Sequence, residues 1–140
     1  MRITVQTTST VVTGDTVKYL KRAIAGALAD IVVEASQPIA DEARRIVPVD
    51  TGALKASITT ELKEADFSRA IAVTKPDTLY AGFVEFGTSR MRAQPYMRPA
   101  FDTKKEEAAG IIKSKLRMMI TDALVDATNA VASARHRRMT

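Results

Sequence analysis

The first residues of the chain alternate between apolar or β-branched side chains and polar ones. Ile3, Val5 and Val11 recur at even spacings among threonines and other polar residues. A spacing of two is the period of a strand with one buried face. The alternation predicts a β-strand over residues 2–12, and it differs from the continuous apolar core of an export signal.

A longer period follows this strand. Apolar residues recur at spacings of three and four from Leu20 to Ile46, which places them on one face of an amphipathic helix. Asp15 is placed to cap the first turn of this helix. Pro38 removes a backbone donor and crowds the preceding turn, so we expect it to kink or interrupt the helix near Ser36.

Two further alternating segments lie in the middle of the chain. Residues 58–63 and about 68–74 each show the period of a strand, and the sequence Glu64-Ala65-Asp66 between them suits a turn. Together the two segments predict a β-hairpin.

The segment from Tyr80 to Phe86 fits two kinds of element. Tyr80, Phe83 and Phe86 are three residues apart, which favours a short helix, whereas Val84 and Phe86 also fit a strand. We favour the helix.

The last third of the chain reads as a loop followed by a helix. Residues 87–98 show no sustained period, and a loop of this length is long for a compact domain. Pro99 suits the first turn of a helix, whose apolar stripe continues to about residue 131. The chain is therefore expected to be one α+β domain over residues 1–134, with a small antiparallel sheet packed against a long N-terminal helix and a long C-terminal helix. We expect the basic residues 135–140 to form a disordered tail.

Composition narrows the possible chemistry. The chain has 140 residues, of which 46% are hydrophobic, and it has no cysteine, which excludes disulfides, thiolate metal sites and cysteine nucleophiles. No run approaches the roughly 18 consecutive apolar residues of a membrane span, so we expect no membrane contact. The only histidine, His136, lies near the end of the chain. We predict no cofactor and no metal site.

The net charge of +5 is concentrated in two basic clusters. One is the tail, and the other is the segment 87–98, where Arg90, Arg92 and Arg98 occur without an acidic residue. Tyr96 adds an aromatic ring to these cations, as in proteins that bind single-stranded nucleic acid. One alternative function is therefore a nucleic-acid-binding module that uses the loop 87–98.

The sequence VPVDTGALKAS contains the Asp-Thr-Gly of aspartic peptidases, in which two carboxylates activate water. A chain of this length would need two copies to bring two such turns together. The long predicted helices on both sides of the motif argue against that all-strand class. The structural interpretation is that Asp50 or Thr51 caps the short turn 53–56 while Gly52 permits a bend. We predict no enzyme, and a dimeric aspartic peptidase that uses Asp50 remains a less favoured alternative.

Two longer stretches, VPVDTGALKASI and YAGFVEFGTSRMRAQPYMRPAF, occur in this order with one predicted hairpin between them. Together they resemble the head-to-tail joining or tail-completion (neck) proteins of long-tailed bacteriophages, a family whose type member belongs to a lambdoid phage. The resemblance rests on three ordered segments: Pro-x-Asp-Thr-Gly-x-Leu, Tyr-x-x-x-Val-Glu-Phe-Gly-Thr, and Pro-x-Met-Arg-Pro-Ala-Phe. It covers most of the chain from residue 15 to about 130.

The resemblance implies a virion structural protein at the head–tail junction or the tail terminus. It implies a homo-oligomeric ring, expected to be a hexamer, which contacts the phage connector or adaptor and the tail terminator or tail tube proteins. DNA would pass through its lumen, and the protein would assemble in the host cytoplasm. The residues of the implied structural turn are Asp50, Thr51, Gly52 and Leu54. The residues of the implied subunit or partner interface are Tyr80, Glu85, Phe86, Gly87, Thr88, Arg90, Arg92, Pro95, Tyr96, Met97, Arg98 and Pro99.

Overall fold

The computed structural model describes residues 14–139, so the strand predicted over residues 2–12 lies outside the described part. The chain has the predicted α+β fold, in which two long helices pack with a β-hairpin. The elements are α1 (Gly14–Ile46), α2 (Ala53–Ser57), β1 (Ile58–Ala65), β2 (Ala70–Pro76), α3 (Ala81–Phe86) and α4 (Met97–Met139).

Helix α1 is continuous through Pro38, so the predicted interruption near Ser36 is wrong. The missing backbone donor of a proline weakens one turn, but tertiary packing on both sides can hold the helix together. Here Ala35, Ala40 and Ala43 are all buried on the inner face of the helix. Asp15 lies inside the first turn and is not the N-cap, because the helix already begins at Gly14.

Within residues 14–139, α1 also has the length and composition of a membrane span over Val17–Ile46. The sequence prediction considered only uninterrupted apolar runs and missed this stretch, which is apolar on average although it contains charged residues. In the structure α1 packs against both strands and against α4, and Glu34 pairs with Lys115 of α4 at 3.1 Å. The part of this stretch from Ile31 onward, which contains the buried residues of α1, therefore packs in the fold, and the absence of membrane contact stays a prediction.

The hairpin is confirmed, with different ends. β1 and β2 pair in an antiparallel register that matches Thr60 to Thr74, and these two hydroxyl groups are 2.9 Å apart. The turn occupies residues 66–69 instead of the predicted 64–66, because the carboxylate of Asp66 accepts hydrogen bonds from the backbone N–H groups of Ser68 and Arg69 at 2.7 and 2.8 Å. A register shift between Leu62 and Glu64 lengthens β1 by one residue relative to β2.

The hydrophobic core lies where the C-terminal end of α1 meets the N-terminal end of α4. Small side chains on the two helices allow a close approach, and Tyr96 and Ile58 are the largest fully buried residues. The core residues are Ala40, Ala43, Val47, Leu54, Ile58, Ala81, Tyr96 and Ala100. The helices run antiparallel away from this core, and α4 extends to Met139, well past the predicted end near residue 131 and into the segment 135–140.

Arg44 ties α1 to the start of β1. Its Nε and Nη2 atoms both donate hydrogen bonds to the backbone carbonyl of Ile58, at 3.2 and 2.6 Å, and its Nη1 atom donates to Asp41. Charged donors to a partly buried carbonyl are stronger than neutral ones. We expect Arg44→Met to lower the free energy of unfolding by about 2 kcal/mol in urea denaturation.

A matched control is Arg22→Met on the same helix, because Arg22 is exposed and has no hydrogen bond or ion pair among the described residues. This control is expected to change the free energy of unfolding by less than about 0.5 kcal/mol. Equal losses for the two variants would show that the bonds to Ile58 do not stabilise the fold.

Candidate functional site

The arginine arm, which we define as residues 87–98, is an ordered loop. Gln94 donates its backbone N–H to the carbonyl of Val84 at 2.8 Å, and the N–H of Thr88 donates to the carbonyl of Met91 at 2.8 Å. The hydroxyl of Thr88 accepts from the N–H groups of Arg90 and Met91 at 3.2 and 3.0 Å. The arm therefore has a defined shape before any partner binds.

Glu85 anchors the end of the arm at the start of α4. Glu85 is 8% exposed, and its carboxylate accepts hydrogen bonds from the backbone N–H groups of Tyr96, Met97 and Arg98, at 2.8, 3.0 and 3.2 Å. The first N–H groups of a helix have no partner within the helix, and a negative charge beside them is favourable. Glu85 thus caps α4 from a distant part of the sequence.

Tyr96 lies in the core and is fully buried. Burial raises the pKa of its hydroxyl, and the negative charge of Glu85 adds to this effect. Among the described residues this hydroxyl has no hydrogen-bond partner. Its ring cannot stack on a nucleic-acid base, because the whole side chain is inside the subunit. Glu85 and Tyr96 therefore shape the arm from within.

The arginines of the arm point into solvent. Arg90 and Arg92 are exposed, and within residues 14–139 neither forms an ion pair. The guanidinium of Arg98 lies over the ring of Phe86, with 5.0 Å from its central carbon to the ring centroid. This cation–π contact joins the arm to the outer surface of α3.

Helix α3 is confirmed, and it presents an apolar surface to solvent that we call the α3 face. Phe83 is 58% exposed and Phe86 is 65% exposed, Tyr80 is more than one third exposed, and Leu79 just before the helix is fully exposed. Large apolar side chains grouped in this way mark protein–protein contacts more often than single exposed ones do. The sequence prediction placed Tyr80 and Phe86 at an interface but not Leu79 or Phe83, although the spacing of three contained the signal for Phe83.

The Asp-Thr-Gly turn is structural only in part. Gly52 is the N-cap of α2 with φ of 80°, and Leu54 is buried in the core. The Thr51 hydroxyl accepts a long hydrogen bond of 3.4 Å from the N–H of Ala53. Asp50 is exposed, and its carboxylate forms no hydrogen bond or ion pair within residues 14–139, so of the two candidates for the cap only Thr51 contacts a backbone N–H of the turn.

A cleft of about 580 Å³ separates this turn from α3 and the arm. Asp50, Thr51 and Gly52 line one side, and Tyr80 and Gln94 line the other. The structure thus brings the predicted turn residues and part of the predicted interface to the two sides of one cleft. Asp50 lies here on an exposed connection between helices, whereas a peptidase aspartate must share a proton with a second carboxylate. Among residues 14–139 no cluster of side chains suits a metal ion.

Comparisons with known proteins give one match. The family model described as "Bacteriophage HK97-gp10, putative tail-component" matches residues 13–87, just over half of the chain. No curated protein and no solved structure matches. The matched range contains α1, α2, the hairpin and α3, and it ends at the glycine where the arginine arm begins. The chain therefore belongs to the HK97-gp10-like family of bacteriophage tail components.

Proposed function

We propose that this protein is a virion structural component of the head–tail junction or tail terminus of a long-tailed phage, and that it acts as a ring of identical subunits. The family supports a structural role in the phage tail. A ring of six would match the expected symmetry of the tail. Its partners in the virion would be the connector or adaptor on one side and the tail terminator or tail tube on the other. Assembly would take place in the host cytoplasm.

The observation that carries this proposal is the joint surface of the α3 face and the arginine arm. Phe83 and Phe86 expose aromatic rings, and Arg98 extends the same surface through its contact with Phe86. Aromatic and arginine side chains dominate the binding energy of protein interfaces. A surface of this kind on a rigid loop loses little conformational entropy when a partner binds.

A ring requires a heterologous contact, in which one surface of a subunit meets a different surface of the next. The joint surface is one side of such a contact. Because Arg90 and Arg92 are exposed and carry a positive charge, the surface that meets them should carry acidic groups. The exposed Asp50 beside its cleft provides one such group on the same chain.

Charge reversal in the arm tests this proposal. We expect Arg92→Glu together with Arg98→Glu to prevent ring assembly and to reduce the yield of infectious particles at least about a hundredfold, because like charges would then face each other across the contact. Size-exclusion chromatography with light scattering measures the assembly of purified protein, and plaque assays measure complementation of a phage that lacks the gene.

The matched control is Arg22→Glu, an exposed arginine on α1 outside the arm. Because this control reverses one charge, its effects on assembly and yield are compared with those of the single variant Arg92→Glu. Normal assembly and normal yield for the double arm variant would refute the arm as an interface. Electron microscopy of the purified protein, and of particles blocked by its deletion, would then show whether any ring forms and where it sits.

A nucleic-acid-binding module is the alternative that the arm suggested. The arginines could face DNA in the lumen of a ring, but the only aromatic ring in the arm is buried at Tyr96. Without a stacking residue, binding would depend on phosphate contacts alone and would weaken steeply with salt. A fluorescence titration with single-stranded DNA at two salt concentrations measures the affinity for DNA and its salt dependence, and so tests this alternative.

A further inference from the structure

We propose that residues 2–12 of one copy of this chain add to the outer edge of β2 in a second copy, as a third strand of its sheet. The proposal rests on the assembly of identical copies proposed above and identifies one contact between them. It is independent of the arginine arm, which runs from the end of α3 to the first residues of α4.

An apolar groove lies beside the first three residues of β2 and is bounded by both long helices. Its volume is about 390 Å³, and it is lined by Ala70, Ile71 and Ala72 of β2 but by no residue of β1. The groove therefore lies on the side of β2 that faces away from β1. Across from the strand, α4 contributes Phe101, which is 53% exposed, and α1 contributes the floor.

The backbone of β2 leaves hydrogen-bonding groups at this outer edge. The N–H of Asp77 donates to the carbonyl of Ser57, and the carbonyl of Arg69 accepts from the N–H of Asp66. Because backbone groups of successive residues in a strand point to opposite sides, these two bonds show that the odd-numbered residues direct their N–H and C=O groups toward β1. The even-numbered residues Ala70, Ala72 and Thr74 consequently direct their N–H and C=O groups outward. Within residues 14–139 the sheet has only the two strands, so no described strand pairs with these groups. An unpaired edge of this kind is a template for another strand.

Residues 2–12 have the composition that this edge requires. Their alternation would direct Ile3, Val5 and Val11 toward one side, where they would cover the apolar floor and the ring of Phe101. The segment carries one charge, on Arg2, and no proline, so each of its residues can donate to a ladder. Strand addition of this kind combines backbone hydrogen bonds with side-chain contacts in a groove.

The length of α1 determines whether residues 2–12 can reach the groove of their own copy or must bind to a second copy. Gly14 begins α1 and Val32 is the first residue of α1 at the groove, which separates them by about 27 Å along the helix axis. An extended chain covers at most about 3.6 Å per residue, so Val12 stays within about 7 Å of Gly14. Only residues before about residue 7 could reach the groove of their own copy. A strand that includes residues 7–12 must therefore lie on another copy.

Cysteine cross-linking tests the contact directly, because the natural chain has no cysteine. Full-length chains with Val5→Cys, Thr7→Cys or Ser9→Cys would each be mixed with a longer, tagged chain carrying Ala72→Cys and then oxidised. We expect a disulfide between the two chains for at least one of the three donors, in more than about half of the molecules. The control acceptor is Lys63→Cys on β1, outside the groove, with less than about a tenth cross-linked.

A second measurement uses the alternation itself. Val5→Asp should raise the dissociation constant of the oligomer at least about tenfold, whereas Gln6→Asp, on the opposite side of the strand, should change it less than about twofold. If rings form normally but the cross-links fail, the strand contact is refuted and the proposed ring is not. Equal effects of Val5→Asp and Gln6→Asp would have the same meaning. A chain that stays monomeric at all concentrations would overturn both. A disulfide within one chain carrying Val5→Cys and Ala72→Cys would also overturn it.

Discussion

Replacing Glu85 with alanine is expected to lower the free energy of unfolding by about 3 kcal/mol. The change removes the acceptor of three backbone N–H groups, those of Tyr96, Met97 and Arg98, at a site that is 8% exposed. Leaving buried donors without partners costs about 1–3 kcal/mol for each group, and water admitted to the new space recovers part of this cost. Equilibrium unfolding in urea, followed by circular dichroism, measures the loss.

Two further variants separate the cap from general effects of a carboxylate. Glu85→Gln keeps one oxygen acceptor but loses the charge, so we expect it to cost about half as much as alanine. Glu106→Ala removes an exposed carboxylate from the same helix α4, where it has no hydrogen bond or ion pair among the described residues. If the losses for Glu85→Ala and Glu106→Ala were equal, Glu85 would not act as the cap of α4.

The same variant connects stability with assembly. Glu85 fixes the position at which the arm enters α4, and Arg98 donates one of the three hydrogen bonds. A chain that stays folded at low temperature without this cap would still present Arg92 and Phe86, but on a loop with more freedom. We therefore expect ring assembly to weaken even where the protein remains folded.

Local patterns predicted the elements because each element has its own period. The alternation of residues 58–63 and the spacing of three in Tyr80, Phe83 and Phe86 correctly predicted the hairpin and α3. Pro38 was misjudged because a local rule cannot weigh the packing of the alanines on either side of it, which holds α1 together. Tertiary packing often overrides a single unfavourable residue in this way.

The role of Glu85 could not be predicted from its neighbours. Its partners lie 11, 12 and 13 residues further along the chain, beyond the range of the usual capping rules, which link residues two or three positions apart. Local rules assigned the cap of the short turn to Asp50 or Thr51. The structure places Gly52 at the N-cap, gives Thr51 one long hydrogen bond from the N–H of Ala53, and leaves the carboxylate of Asp50 exposed beside a cleft.

The sequence pattern also could not predict which side of α3 is exposed to solvent. An apolar stripe at a spacing of three is the same whether the helix packs inside its own subunit or against a partner. Core packing and interface were therefore equally acceptable for Phe83 and Phe86 until their exposure was known. Ala81 and Glu85 are instead the buried residues of this helix.

Gly87→Ala is expected to be the most damaging single substitution in the arm, with a loss of about 4 kcal/mol in the free energy of unfolding. Gly87 has φ of 75° and ψ of 178°, a backbone conformation that is almost restricted to glycine and costs about 1–3 kcal/mol for other residues. A Cβ atom would also lie 2.7 Å from the backbone N of Ala93 and 2.8 Å from the carbonyl of Met91. These are backbone atoms, so relief would require the arm to move, at a further cost of about 1–3 kcal/mol.

Alanine substitutions at two other glycines separate the conformational cost from the steric cost. Gly52 also has positive φ, 80°, but a Cβ there would meet nothing within 4 Å, so Gly52→Ala should show the conformational cost alone, about 1 kcal/mol. Gly82 lies inside α3 with the same open space, and Gly82→Ala should stabilise the protein by about 0.5 kcal/mol. Urea denaturation of the three variants should therefore rank them as Gly87, Gly52 and Gly82 in decreasing loss. A loss at Gly87 no larger than that at Gly52 would mean that the arm moves freely from α3, and a rigid arm would then no longer support the proposed interface.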